Sequence, residues 1–369
     1  MPVVDSIERD TTAFAGGDSS KTVNLGTTLS DVARAELNFT VKSDDANDSR
    51  INKQFFRGRI VSTTQIEFIH DTAGKVATIE WEVIQYATGE AVVRASTLTV
   101  TADPTNETIS SVTAGRSIAK VSVYTDFVGG MAPQMFAHVN LTSDTNLQFD
   151  FSTAPSGNEY RCAYQVIEFA SGDATVESLS KTLAALTDSD TQAISDVGDL
   201  TAALLSFSYS TPGTGSSESR QQVRGRLTST TVATFDRHDG GSGTECTIRL
   251  RVVKFLDGTV VRTTDVALAD ADATDDDTIT AVTLARATVF NDWLFHHVKG
   301  GSTSMGPAAM CCTVKLTATT TLTTTRNVTT GAIDLWPQVL DFPAAGGGGT
   351  TPKGWFGLPL RGPMRRAVA

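Results

Sequence analysis

The hexapeptide Trp81-Glu-Val-Ile-Gln-Tyr86 returns as Tyr164-Gln-Val-Ile-Glu-Phe169, as Leu250-Arg-Val-Val-Lys-Phe255 and, more loosely, as Pro337-Gln-Val-Leu-Asp-Phe342, at intervals of 83, 86 and 87 residues. A period of that size means that one supersecondary unit is built four times and stacked, which removes most single-core folds from consideration. A second landmark keeps phase: Leu29-Ser-Asp-Val32, Ile109-Ser-Ser-Val112, Ile194-Ser-Asp-Val197 and Ile279-Thr-Ala-Val282. So does a third, Arg59-Ile-Val-Ser-Thr-Thr64, Asn140-Leu-Thr-Ser-Asp-Thr145, Arg226-Leu-Thr-Ser-Thr-Thr231 and Lys315-Leu-Thr-Ala-Thr-Thr320. Four modules follow, 1–86, 87–169, 170–255 and 256–342, with a Gly-rich hinge and basic tail at 343–369.

Composition fixes what each module is made of. The 369 residues include 55 Thr and 29 Asp against 12 Glu and 10 Lys, which starves helices of their usual formers and supplies strands and turns. The expected fold class is all-β, four tandem antiparallel β-sandwich modules of about 85 residues. Period-2 runs place the first module's strands near Val4–Arg9, Lys21–Leu25, Glu36–Lys42, Gln54–Val61, Gln65–His70 and Ala77–Tyr86.

The closing strand is the most informative element. Ile79, Trp81 and Val83 share one face with their counterparts Cys162, Tyr164 and Val166, and Ile248, Leu250 and Val252, so that face is core. The other face begins polar, at Glu80 and Glu82 or Arg249 and Arg251, and turns apolar at Ile84 and Tyr86, Ile167 and Phe169, and Val253 and Phe255. A strand end that is apolar on both faces is expected to lie against a neighbouring module or subunit. Ala87-Thr-Gly-Glu90, Ala170-Ser-Gly-Asp173 and Leu256-Asp-Gly-Thr259 read as hairpin turns that couple successive modules tightly. The opening strand Val4–Arg9 and the closing strand Gln338–Phe342 lack an outside neighbour; pairing of the two would close a ring, whereas in a linear chain each end would need cover from another subunit.

The chain's net charge is −11. Lys353, Arg361, Arg365 and Arg366 stand in a tail without acids, so the first 342 residues hold −15. An acidic body is a poor nucleic-acid binder. No apolar run approaches a membrane span, and Met1 leads into polar residues without a signal-peptide pattern, so use without Sec-type export is expected. Cys162, Cys246, Cys311 and Cys312 show neither zinc-ribbon nor disulfide spacing.

Chemistry-bearing residues mostly recur at repeat positions, a structural pattern, and no catalytic, cofactor or metal residue is assigned. His296-His297 would point to opposite faces of a strand and cannot share an ion. Asp270, Asp272, Asp275, Asp276 and Asp277 could offer oxygens to calcium but lack a loop spacing, and a solvated turn is the expectation. Arg57-Gly-Arg59 and Arg224-Gly-Arg226 are expected to ion-pair with acidic strands such as the one carrying Glu80 and Glu82. Cys162 reads as a small buried hydrophobe and Trp81 as a core anchor. The tail differs: Trp355, Phe356 and Leu358 are costly to leave exposed beside Arg361, Arg365 and Arg366, and these six are the candidate partner-binding residues.

The Thr-rich strands, the Arg-Gly-Arg-Leu-Thr-Ser-Thr-Thr strand at Arg224–Thr231 and the closing aromatic-x-Val-Ile/Val-x-Phe strand resemble repeated β-sandwich modules of tailed-bacteriophage virion structural proteins. The resemblance spans residues 4–342. The fourth module departs from it, losing the Arg-Gly-Arg and placing Pro337 in the closing strand, which suits an edge. The resemblance implies a non-enzymatic virion protein of decoration, head-fibre or tail-associated type, partnered by other virion proteins and forming a homo-oligomer, with no cofactor, nucleic acid or membrane. The alternative is a carbohydrate-binding adhesin that engages a host glycan through module-end loops.

Overall fold

A computed structural model describes residues 3–43, 55–70, 76–125, 136–151, 160–211, 222–238, 245–292, 298–300 and 307–344. The first repeat supplies β1 (Val4–Phe14), β2 (Ser20–Asn24), β3 (Ala35–Ser43), β4 (Arg57–Ser62), β5 (Gln65–Ile69) and β6 (Ala77–Tyr86), the elements the alternation predicts, with β1 running on to Phe14. Two antiparallel three-stranded sheets result, in the orders β1-β6-β3 and β2-β5-β4. Ile79, Trp81 and Val83 of β6 and Ile66 and Phe68 of β5 are buried together, and Phe39 of β3 meets Phe68 edge to face at 5.2 Å, so the sheets face each other as a sandwich.

The same two sheets recur in every repeat. The second sets Tyr160–Phe169 between Ala91–Val100 and Ser117–Thr125, and the third sets Cys246–Phe255 between Ala174–Leu183 and Ala203–Ser210. Ile79, Cys162 and Ile248 are fully buried and stand opposite Val41, Val123 and Tyr209.

The fourth repeat corrects the expectation for Pro337. Its closing strand is central, not an edge. The chain accommodates the missing N–H by breaking that strand into Ile333–Leu335 and Gln338–Asp341 and the opening strand into Val260–Thr263 and Val266–Leu268. At the break Thr264 N–H donates to the Pro337 carbonyl at 3.2 Å, so the discontinuity falls where proline cannot bond.

The co-repeating landmarks hold each other. In the later modules Ile109, Ile194 and Ile279 donate their N–H to Thr145, Thr231 and Thr320, and Val112, Val197 and Val282 donate to Asp144, Thr230 and Thr319. Each acceptor lies in the tight turn after the fourth strand, whose register shifts at the same place in all four modules. Module 1 makes these bonds from Leu25 to Thr64 and Leu29 to Thr63. Leu29 therefore occupies the place of Val112, and the sequence alignment of Leu29 with Ile109 is out of step.

The module joints are tight turns with Gly89, Gly172 and Gly258 at φ of 86°, 91° and 92°, the left-handed region glycine adopts without a Cβ penalty. They do not form hairpins. Each opening strand pairs with the closing strand of its own repeat, so the turn passes the chain from one sandwich to the next. Val4–Arg9 and Gln338–Phe342 likewise do not pair with each other.

The ring closes by another route. Tyr86, Phe169, Phe255 and Phe342, with Ile84, Ile167, Val253 and Leu340, form one buried cluster drawn from all four closing strands. Tyr86 meets Phe342 edge to face at 6.0 Å and Phe169 meets Phe255 at 5.6 Å. The doubly apolar strand ends thus converge on a shared hub, and modules 1 and 4 touch as consecutive modules do.

Candidate functional site

The third strand of each module is a sheet edge, with backbone groups that need cover. Four equivalent closing-strand residues provide it, each from the following module. Gln165 accepts from Leu37 N–H at 2.9 Å and donates to Leu37 O at 3.0 Å. Gln338 does the same to Leu205 at 2.9 and 2.6 Å. Arg251 can only donate, and does so to Ala119 O at 3.3 Å and Val139 O at 2.6 Å. Glu82 can only accept, and takes Val289 N–H at 3.1 Å, which joins module 4 back to module 1.

Charged clasps bring their own partners. Glu82 receives Arg9 Nε at 2.8 Å, and Arg9 also donates to the carbonyls of Leu284, at 2.8 Å, and Ala287. Further along the third strands Lys120 reaches Glu36 at 2.5 Å and Asn38, while Asp292 accepts from Ser206 Oγ and Phe207 N–H, both at 2.8 Å. Burial pushes the Asp292 carboxyl up to about 7, against the pull of Lys120 and Arg251. Burial also brings the Arg251 guanidinium down to about 10 and the His138 imidazole to about 4, with His138 Nδ1 2.9 Å from Ser210 Oγ. These groups tie modules together.

A groove runs along each joint between the fourth strand of one module and the closing strand of the next. The closing-strand residue that faces it, two positions before each clasp, differs every time: Glu80, Ala163, Arg249 and Trp336. At the joint of modules 3 and 4 the Trp336 ring lies 3.9 Å from the Arg224 guanidinium and 4.3 Å from that of Arg226. At the joint of modules 4 and 1 Glu80 pairs with Lys315 at 2.9 Å beside a cavity of about 300 Å³. At the joint of modules 1 and 2 Ala163 is too small to fill the space. A groove of about 620 Å³ remains, lined by Gly58, Arg59, Arg94, Glu107, Ala163 and Tyr164 among others.

The arginine pairs are ion-paired, but not to the acids expected. Arg59 meets Glu67 at 2.7 Å, Arg224 meets Asp236 at 3.3 Å and Arg226 meets Asp265 at 2.7 Å. The intervening Gly58 and Gly225 are needed for packing: a Cβ would sit 2.5 Å from Phe39 and 2.7 Å from Phe235.

Cys162 is buried in the core and burial raises its thiol. Trp81 is an anchor that donates Nε1–H to Thr12 Oγ1 at 3.0 Å. Among the described residues no cluster of metal-ligating side chains occurs. The acidic run is not the solvated turn expected throughout: Asp275, Asp276 and Asp277 lie on the strand Thr274–Thr278, and in the run Asp276 accepts from Thr323 at 2.5 Å and Asp270 from Gly331 N–H at 2.7 Å. His296-His297 and the six tail residues Trp355, Phe356, Leu358, Arg361, Arg365 and Arg366 lie outside the described residues.

Sequence reasoning marked the polar half of the closing strand but missed its use at the joints, and it passed over Trp336. The signal was available in the repeat alignment, where one column reads Glu, Ala, Arg, Trp and its neighbour Glu, Gln, Arg, Gln. No family model matches the chain, and no curated protein matches its sequence.

Proposed function

We propose that this chain is a non-enzymatic structural subunit of a tailed-phage virion, an accessory component of the capsid exterior or the tail that assembles with other virion proteins and with copies of itself. The observation that carries this reading is the clasp repeated at all four joints. Glu82, Gln165, Arg251 and Gln338 spend their polar atoms on neighbouring modules, as a rigid building block requires. Immunogold labelling of gradient-purified particles with an antibody against this chain tests it. Regular labelling at one place on the particle is expected, and particles free of the chain would overturn the reading.

The first-joint groove favours a second reading, a carbohydrate-binding adhesin. Arg59, Arg94 and Glu107 line it and offer polar groups to a sugar. Binding to a glycan array that is lost on Ala163→Trp would support it.

A further inference from the structure

The joints of modules 1–2 and 3–4 share a glutamine clasp and an arginine-rich fourth strand, although the closing strand runs unbroken through Ala163 and is interrupted at Trp336. Both carry Arg-Gly-Arg on the fourth strand, Arg57-Gly58-Arg59 and Arg224-Gly225-Arg226, with the glycine pressed against a core phenylalanine in each. Facing them are Ala163 in one joint and Trp336 in the other. The indole of Trp336 is stacked by both arginines and is 4% exposed. In the first joint Arg57 leans instead over Tyr124, 5.4 Å away, and Arg59, its side chain 40% exposed, pairs with Glu67. The space an indole fills in one joint is open in the other, lined by Arg59, Arg94 and Ala163 among others. The chain itself shows what such a groove holds.

We propose that the first-joint groove is a receptor for an aromatic side chain, and that its occupant is Trp355 from the basic segment of a second copy. Trp355 stands beside Phe356, followed by Leu358, Arg361, Arg365 and Arg366. Stacking of an indole on a guanidinium supplies an attraction that does not require an acidic pocket. The cations that follow are matched by a body of −15, which draws the segment to any other copy. The eleven residue steps from Ala344 to Trp355 span up to roughly 36–40 Å. A sugar is the less apt occupant, since the equivalent joint selects an indole between arginines.

The occupant, though not the groove, rests on reading the tail as an assembly anchor. The test titrates a fluorescein-labelled peptide of residues 350–369 into the full chain carrying Trp355→Ala, whose groove is intact and whose own donor is removed. Saturable binding is expected. Adding Ala163→Trp to the acceptor, which installs the residue module 4 already carries there, should weaken binding by at least about tenfold, as should Trp355→Ala in the peptide. Arg59→Ala provides a second acceptor variant should Ala163→Trp lower the melting temperature. Absence of binding, or equal affinity for all acceptors, would overturn the proposal. If the peptide discriminates as expected while deletion of 350–369 leaves incorporation into particles unchanged, the groove stands and the virion anchor fails.

Discussion

Gln338→Ala removes one side chain and orphans two backbone groups. The Gln338 amide accepts from Leu205 N–H at 2.9 Å and donates to Leu205 O at 2.6 Å. Gln338 is 4% exposed and Leu205 fully buried, so water cannot readily replace it. Leaving a buried donor and a buried acceptor unpaired costs about 1–3 kcal/mol each, or roughly 2–6 kcal/mol for the pair before the joint relaxes. Gln192→Ala, at a half-buried position of a strand that alternates exposed and half-buried, is the control and should stay within about 0.5 kcal/mol.

Urea unfolding followed by tryptophan fluorescence reads the difference as a lower midpoint at unchanged slope. Gln338→Glu separates the two bonds. At neutral pH its carboxylate still accepts from Leu205 N–H but opposes the Leu205 carbonyl, so stability falls. On acidification the protonated carboxyl regains a donor and stability returns relative to the parent. If Gln338→Ala costs no more than the control, the clasp does not hold the joint and the reading of the ring is wrong.

Buried Asp292, pushed up to about 7 from 3.8, and Asp277, up to about 6 by burial and by Asp275 and Asp276, retain protons that the unfolded chain has released. Their contribution is therefore full below about pH 4, declines as pH rises toward 7, and is level above. Asp292→Asn should flatten the upper part of that decline in urea midpoints measured from pH 5 to 8, and an unchanged slope would refute the assignment. Gly58→Ala should destabilise by roughly 1–3 kcal/mol through overpacking against Phe39, measured by the same unfolding; Phe39→Leu in the same chain should recover part of the loss. Chelation of divalent ions should leave the melting temperature within about one degree, because Asp270 and Asp276 are already engaged by Gly331 N–H and Thr323; a larger fall would restore the calcium reading.

Strand identity was legible because side-chain alternation is local: β2 to β6 lie close to where period-2 runs put them. The apolar second face at Ile84 and Tyr86 also pointed outward from the module, as the hub shows. What lay beyond local pattern was which surface each polar residue meets. Glu82 and Val289 are 207 residues apart, and nothing near either announces the other. Arg59 was assigned to the wrong acid because Glu67, on the next strand, is also its ladder partner, a proximity set by hairpin register and not by sequence similarity. The slip of Leu29 against Ile109 has the same origin, since spacing inside a loop does not reveal which residue bonds to the turn beneath it.

A ring of four identical subunits would carry the same clasp residue at every joint, and glutamine, both donor and acceptor, can serve there alone. Carrying the four modules on one chain lifts that restriction. Arg251 can donate at one joint and Glu82 accept at another because each has a matching neighbour, Val139 O for the arginine and Arg9 for the glutamate. The same freedom differentiates the grooves: tryptophan fills one, a Glu80–Lys315 pair bounds another, and Ala163 leaves open the one that also presents Arg-Gly-Arg. A body with four similar joints therefore offers an indole-accepting groove at one of them. A donor segment engaging such a site on a second copy makes a head-to-tail contact, in which donor and receptor are different surfaces. Copies joined that way must either close into a ring of their own or run on as a filament, unless another component of the assembly terminates them.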